Sequence, residues 1–169
     1  LAAACDGDDR ASDDAPLARV VTHADTNRPE VALTFDAGIG GNTDAESVAE
    51  ILRILRERNV RATFSLTGLW AETNRDLLFT IAADGHQIIN GTYAGDAWVP
   101  QVGGIPSMSA DQRKLALSRT EVTVYRYTSR STIPYVRPPG EIDDSFLPRR
   151  ARGSVAMNGL TYASASTCS

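Results

Sequence analysis

The sequence predicts an α/β domain with a parallel sheet, and three observations predict it. Strand-like and helix-like segments alternate along the chain, the helical segments carry an apolar stripe on one face, and the strand-like ones are short runs rich in β-branched and aromatic residues. With 169 residues and 42% hydrophobic content, the chain can bury one sizeable core and is too short for two ordinary domains. One domain is expected over residues 17–169, behind a solvated tether over residues 1–16.

Leu17 to His23 and Val31 to Asp36 read as β, with Asn27-Arg28-Pro29 as the turn between them. Thr43 to Arg58 reads as a helix. Thr43 and Glu46 have the spacing at which a cap residue and an acid three positions on satisfy each other's backbone N–H groups, and Val48, Ile51, Leu52 and Leu55 fall on one face. Ala62 to Thr67 is a β-branched and aromatic run, and Thr73 to Ala83 follows as a second amphipathic helix closed by Gly85. His86 to Asn90 is the next short strand. The stretch AGDAWVPQVGGIPSM, from Ala94 to Met108, is rich in Gly and Pro and has no periodicity, so it reads as a long loop over the mouth of a site. Ser109 to Tyr127 resumes as helix, with Ser109 and Gln112 at capping-box spacing. Pro134 to Arg137 reads as another strand and Val155 to Tyr162 as the last.

The charge pattern excludes one class of partner. A net charge of −4, with no Lys/Arg run interleaved with aromatics, lacks the electrostatic footprint of a nucleic-acid binder. No apolar run in the sequence approaches the roughly 20 residues needed to span a bilayer. The first residues, LAAAC, look like the end of a secretion signal at a lipobox, with Cys5 as the lipid-bearing residue and the acidic DGDDRASDDAP as a tether. This reading makes the protein secreted or cell-envelope, touching a membrane only through a lipid on Cys5. Cys168 is the only other cysteine, so a disulfide between the two ends and two unrelated thiols both stay open.

Four segments carry a more specific signal. VALTFDAG at 31–38, RATFSLTG at 61–68, GHQIINGTYAG at 85–95 and YVRPPGEIDD at 135–144 resemble, in order and spacing, the polysaccharide deacetylases, the NodB homology group of carbohydrate esterase family 4. The resemblance covers about residues 18–162 and implies a distorted (β/α) barrel, here incomplete, with its site at the C-terminal strand ends. In that family the first motif reads T-F-D-D-G; its first Asp is the catalytic base and its second binds a divalent metal, usually zinc. A motif H-T/S-x-x-H gives two histidine ligands, and R-P-P-Y-G supplies an Arg that orients the base. Carried over residue by residue, Asp36 matches the base and Arg137 its partner, whereas the three metal positions hold Ala37, Gly91 and Gly95. Gly140 stands where a Tyr normally follows Pro139, at a backbone N–H that helps stabilise the oxyanion. Tyr93 and Trp98, with Pro139 and Gly140, form the candidate substrate-binding set; the two aromatic rings can face a sugar or simply pin the loop to the barrel.

A catalytic zinc takes three protein ligands from His, Asp/Glu or Cys. Ala37, Gly91 and Gly95 offer no such atoms, so no metal is expected on this sequence, in contrast to the zinc or other divalent ion of the family. His23 and His86 lie far apart, and His86 reads as a hydrogen-bonded histidine supporting a strand; Asp36 and Asp96 could at most hold a hard cation weakly. Trp70 reads as packing. Two departures mark the tail: Pro148 interrupts a helix due near Asp144, and the family's later strands and Leu-x-His motif are not in the sequence, which implies a truncated C-terminal part.

The function expected is an exported polysaccharide-deacetylase-like protein acting on acetylated polysaccharide or peptidoglycan, hydrolysing N- or O-acetyl groups, with the metal mechanism lost or altered. Two alternatives stay open: a non-catalytic glycan-binding pseudoenzyme, and a lipid-tethered structural envelope protein. Asp36 and Arg137 are the surviving catalytic pair in the first reading and a relic ion pair in the others.

Overall fold

In the computed structural model the residues described are 20–21, 31–38, 45–94, 108–132, 134–138 and 161–163. Six short strands, β1 (Val20–Val21), β2 (Thr34–Ala37), β3 (Thr63–Leu66), β4 (Gln87–Asn90), β5 (Tyr135–Val136) and β6 (Thr161–Ala163), form one sheet in the order β1-β6-β5-β4-β3-β2. Every neighbouring pair is parallel. Parallel neighbours need long crossovers, and four helices lie in them: α1 (Ala45–Glu57) between β2 and β3, α2 (Gly68–Thr73) and α3 (Arg75–Ala83) between β3 and β4, and α4 (Ala110–Thr128) between β4 and β5. Among the described residues β1 and β2 are its edges, and the sheet is of the distorted (β/α) barrel type expected from the motifs.

The core forms where one face of the sheet meets the helices. Phe64, Leu66 and Ile88 are buried with Val48, Leu52 and Leu55 of α1, Trp70 and Ala71 of α2, Leu78, Ile81 and Ala82 of α3, and Val124 of α4. Register fixes who meets whom. Pairing Phe35 with Phe64 brings their rings to 5.4 Å between centroids, and Phe64 has no exposed surface. Trp70 is a packing residue, as expected.

α4 carries the full capping box at its start. Ser109 N–H donates to Gln112 Oε1 at 2.7 Å, and Gln112 N–H to Ser109 Oγ at 3.2 Å. The helix expected over 73–83 is α3, and a short helix not expected from the sequence, α2, precedes it. α2 starts at the Thr67 cap, whose Oγ1 accepts from Trp70 N–H at 3.3 Å, and it ends because Thr73 and Asn74 turn their side chains onto carbonyls of its last turn. Side chains that compete for backbone partners stop a helix in this way. Gly85 closes α3 with φ +79°, a conformation a side chain would strain.

β2, β3, β4 and β5 are each shorter than the sequence suggested. β1 and β2, between which the sequence suggested a turn at 27–29, lie at opposite edges of the sheet. That turn, the tether over 1–16, Thr43, the loop stretch 95–107, Pro148 and both cysteines lie outside the described residues. Among the described residues no helix is long and apolar enough to cross a membrane.

Candidate functional site

The site is built from the C-terminal ends of β2, β4 and β5. At the end of β2 the backbone turns at Gly38, with φ +85°. A Cβ there would sit 2.2 Å from Thr67 Oγ1 and 2.7 Å from Trp70 Cβ, so only glycine lets the chain leave the strand at this point. Thr67 N–H donates to the Ala37 carbonyl at 3.1 Å and fixes the same corner. Alternation along β2 then places Ala37 in the core, while the Asp36 side chain keeps 39% of its surface in solvent.

Arg137 follows β5, and its backbone N–H donates to the Asn90 carbonyl at 2.8 Å. Its guanidinium Nη1 donates to Asp36 Oδ1 at 3.1 Å. In the sheet order two strands separate β5 from β2, a span of roughly 14 Å on a flat sheet. Only the curvature of a barrel brings the two side chains within one hydrogen bond. The Arg137 side chain is nearly buried, with 7% exposed, and its Nε–H has no partner among the described residues. A buried guanidinium depends on its counter-charge, because removing the partner leaves a desolvated cation.

Between the two sits the end of β4. Asn90 is fully buried and ties the turn to α4: Oδ1 accepts from Thr92 N–H at 3.0 Å, and Nδ2 donates to the Leu117 carbonyl of α4 at 3.0 Å and to Thr132 Oγ1 at 3.5 Å. Thr92 is held at φ +67°, unusual for a β-branched residue. Its carbonyl accepts from Gly68 N–H at 3.0 Å and from Thr120 Oγ1 at 2.7 Å. Tyr93 is pinned in turn. Its ring packs against Gly68 and lies 3.6 Å under the Arg119 guanidinium, and its hydroxyl donates to Glu72 Oε2 at 3.0 Å and accepts from Arg119 at 2.5 Å. Burial and the Glu72 hydrogen bond push the Tyr93 phenol above its ordinary range. Both the ring and the hydroxyl are thus engaged inside the protein, which ties the turn to α2 and α4.

The metal implied by the family can be tested against these residues. Ala37 is a buried methyl group and Gly91 has no side chain, so neither carries a donor atom. Among the described residues no group of three or more His, Cys, Asp or Glu is placed to hold a metal ion. The described residues do not fit the family's metal. Gly95, Asp96, His23, Trp98, Pro139 and Gly140 lie outside the described residues. His86 is a strand-supporting core residue: Nδ1 accepts from Ala62 N–H at 3.2 Å, the ring lies 5.3 Å from Phe64, and burial holds its pKa below the ordinary value.

The sequence brought Asp36 and Arg137 forward, and the structure brings them together. It gave no notice of Glu72, Arg119 or Thr120, which act through tertiary contacts with no local pattern, and Asn90 left only a weak signal, an amide that follows the apolar pair Ile88-Ile89.

Comparison with known proteins agrees with this geometry. The family profile described as polysaccharide deacetylase matches residues 23–160. A peptidoglycan-N-acetylglucosamine deacetylase of Bacillus cereus is 35% identical over 122 residues, covering 72% of this chain and 40% of that protein. The chain thus spans about two-fifths of the length of that relative. Among solved structures, a peptidoglycan N-acetylglucosamine deacetylase superposes with a TM-score of 0.64 at 29% identity, over 87% of this chain and 61% of the other. A carbohydrate esterase family 4 pseudoenzyme from Bacillus anthracis shares the fold, with a TM-score of 0.69 at 19% identity over 87% of this chain and 47% of that one.

Proposed function

The chain belongs to the polysaccharide deacetylase family, and from that membership we propose that it is an exported domain directed at acetylated glycans of the peptidoglycan type, with the family's metal mechanism lost or altered. One observation carries the reading. The Asp36–Arg137 pair is intact at 3.1 Å across the barrel, while Ala37 and Gly91 leave the adjoining metal positions without donors.

Asp36 is the group able to meet a substrate, because its carboxylate is partly exposed at a strand end where the nearly buried Arg137 fixes its orientation. It can accept hydrogen bonds from a sugar hydroxyl, an acetamido N–H or a water molecule. As a general base it would take the proton of a water attacking the acetyl carbonyl. A metal Lewis acid ordinarily supplies several kcal/mol of transition-state stabilisation in such a hydrolysis. Each ~1.4 kcal/mol missing removes about tenfold in rate. Turnover by Asp36 without that help is therefore slow, and the absence of donors favours the neighbouring reading, a glycan-binding domain that has set the chemistry aside. Export rests on the LAAAC start and the acidic tether, with Cys5 as the candidate lipid site.

Acetate release from N-acetylated chitooligosaccharide and from peptidoglycan fragments, with and without added zinc or cobalt, separates these readings when paired with calorimetric binding. Slow, metal-insensitive release supports Asp36-based hydrolysis. Binding without release supports the pseudoenzyme. Neither binding nor release removes the glycan reading and leaves a structural envelope protein.

A further inference from the structure

We infer that position 91 is closed by backbone, so that a metal site cannot be rebuilt in this chain by restoring ligand side chains alone. Gly91 follows β4, and its N–H donates to the Leu66 carbonyl at 2.9 Å, continuing the β3–β4 ladder one residue past the strand. The two backbones come so close that a Cβ at position 91 would lie 2.8 Å from both C and O of Leu66 and 3.1 Å from Ser65 Oγ. Ordinary van der Waals contact begins at about 3.4 Å. The atoms in the way are main chain, which cannot rotate aside as a side chain can.

Both flanks are fixed. On the β3 side, Leu66 and Ser65 have no exposed surface, Leu66 belongs to the core, and the next residue, Thr67, is bonded through its N–H to the Ala37 carbonyl at 3.1 Å. On the β4 side, Asn90 Oδ1 holds Thr92 N–H at 3.0 Å, and Gly68 N–H with Thr120 Oγ1 holds the Thr92 carbonyl at 3.0 Å and 2.7 Å. These bonds keep Thr92 at φ +67° and leave the turn little room to lift. Ser65 Oγ, buried and without a hydrogen-bond partner among the described residues, marks how tightly the two strand ends are closed.

A position that the family uses for a ligand therefore serves strand contact here. The missing side chain is what lets β4 close on β3. Reversal needs a change in the backbone of β3 or of the 90–92 turn besides new donors. The inference concerns the metal position and stands whether or not the domain binds a glycan.

Gly91→Ala is the deciding variant, because alanine adds only the Cβ. Thermal unfolding of the full chain should show its midpoint lowered by roughly 5 °C or more, with Ser118→Ala, on the exposed face of α4, unchanged. A Gly91→Ala midpoint within about 1 °C of the parent chain overturns the inference. The second arm titrates zinc chloride into the folded Ala37→Asp/Gly91→His/Gly95→His variant by calorimetry. No 1:1 binding is expected, and stoichiometric zinc overturns the inference. If the triple variant does not fold while Ala37→Asp/Gly95→His does, the failure belongs to position 91 and supports it; if both fail, the Gly91→Ala midpoint alone decides.

Discussion

The two sides of the site have had different fates. On one side, β2 and β5 still deliver Asp36 and Arg137 to a 3.1 Å contact that only a curved sheet can make. On the other, the end of β4 carries Gly91, seated against the Leu66 backbone and locked by Asn90. The difference lies in what each residue touches. Arg137 is nearly buried and needs its counter-charge, so the pair is part of how the fold is held as well as a candidate for chemistry. A metal ligand makes its main bond to the ion, whereas Gly91, which offers no donor atom, makes its contacts to the Leu66 main chain.

The largest effect that would sharpen this contrast is expected at the lock. Asn90→Leu removes the side-chain bonds to Thr92 N–H and the Leu117 carbonyl; it strands the Thr92 N–H in the interior, while the Leu117 carbonyl keeps its bond within α4. An unsatisfied buried group costs about 1–3 kcal/mol and each hydrogen bond lost about 1 kcal/mol, so chemical denaturation should show a loss of about 3 kcal/mol. A loss under about 1 kcal/mol would mean the turn is not held as described.

Next comes the retained pair. Asp36→Asn keeps shape and hydrogen bonding but removes the counter-charge that Arg137 has among the described residues. Because Asp36 is partly exposed, solvent screens part of the effect, and about 1–2 kcal/mol of stability should go, together with at least about tenfold in affinity for acetylated oligosaccharide. Unchanged binding in this variant would reduce the pair to a structural relic. Tyr93→Phe removes the hydroxyl shared by Glu72 and Arg119 and should cost about 1 kcal/mol with little change in glycan affinity, since the ring keeps its place under Arg119.

The smallest effect is a pH dependence from His86, which sits away from both sides of the site. Burial holds its folded-state pKa below the ordinary value of about 6.5. Below pH ~6.5 the unfolded chain takes up a proton that the folded one refuses, so this contribution to stability falls as the pH drops, until the lower folded-state value is passed. Above that pH both states are neutral and the group adds no slope. Comparing denaturation midpoints of the parent and His86→Phe between pH 5 and 7 should show part of the parent's acid-side slope missing in the variant; identical slopes would remove His86 as its source.

Much of the scaffold could be read locally. Ser109 and Gln112 announced the start of α4, Gly85 the end of α3, and the β-branched and aromatic run at 62–67 gave β3. The break between α2 and α3 was harder, because it depends on Thr73 and Asn74 choosing backbone partners over solvent. The placement of β1 and β2 at opposite edges is a property of the whole sheet, which no local pattern encodes. At the site, the motif spacing brought out Asp36 and Arg137 and showed that Ala37, Gly91 and Gly95 lack donors. It could not show why a glycine sits at 91, since that reason is the main chain of Leu66, 25 residues away in sequence and one hydrogen bond away in space.

The most direct test of two diverged sides is the metal content of the purified chain after exposure to zinc and dialysis, read by elemental analysis. The account predicts zinc well below one ion per chain, with the Asp36–Arg137 pair still needed for oligosaccharide binding. One zinc ion per chain would contradict it.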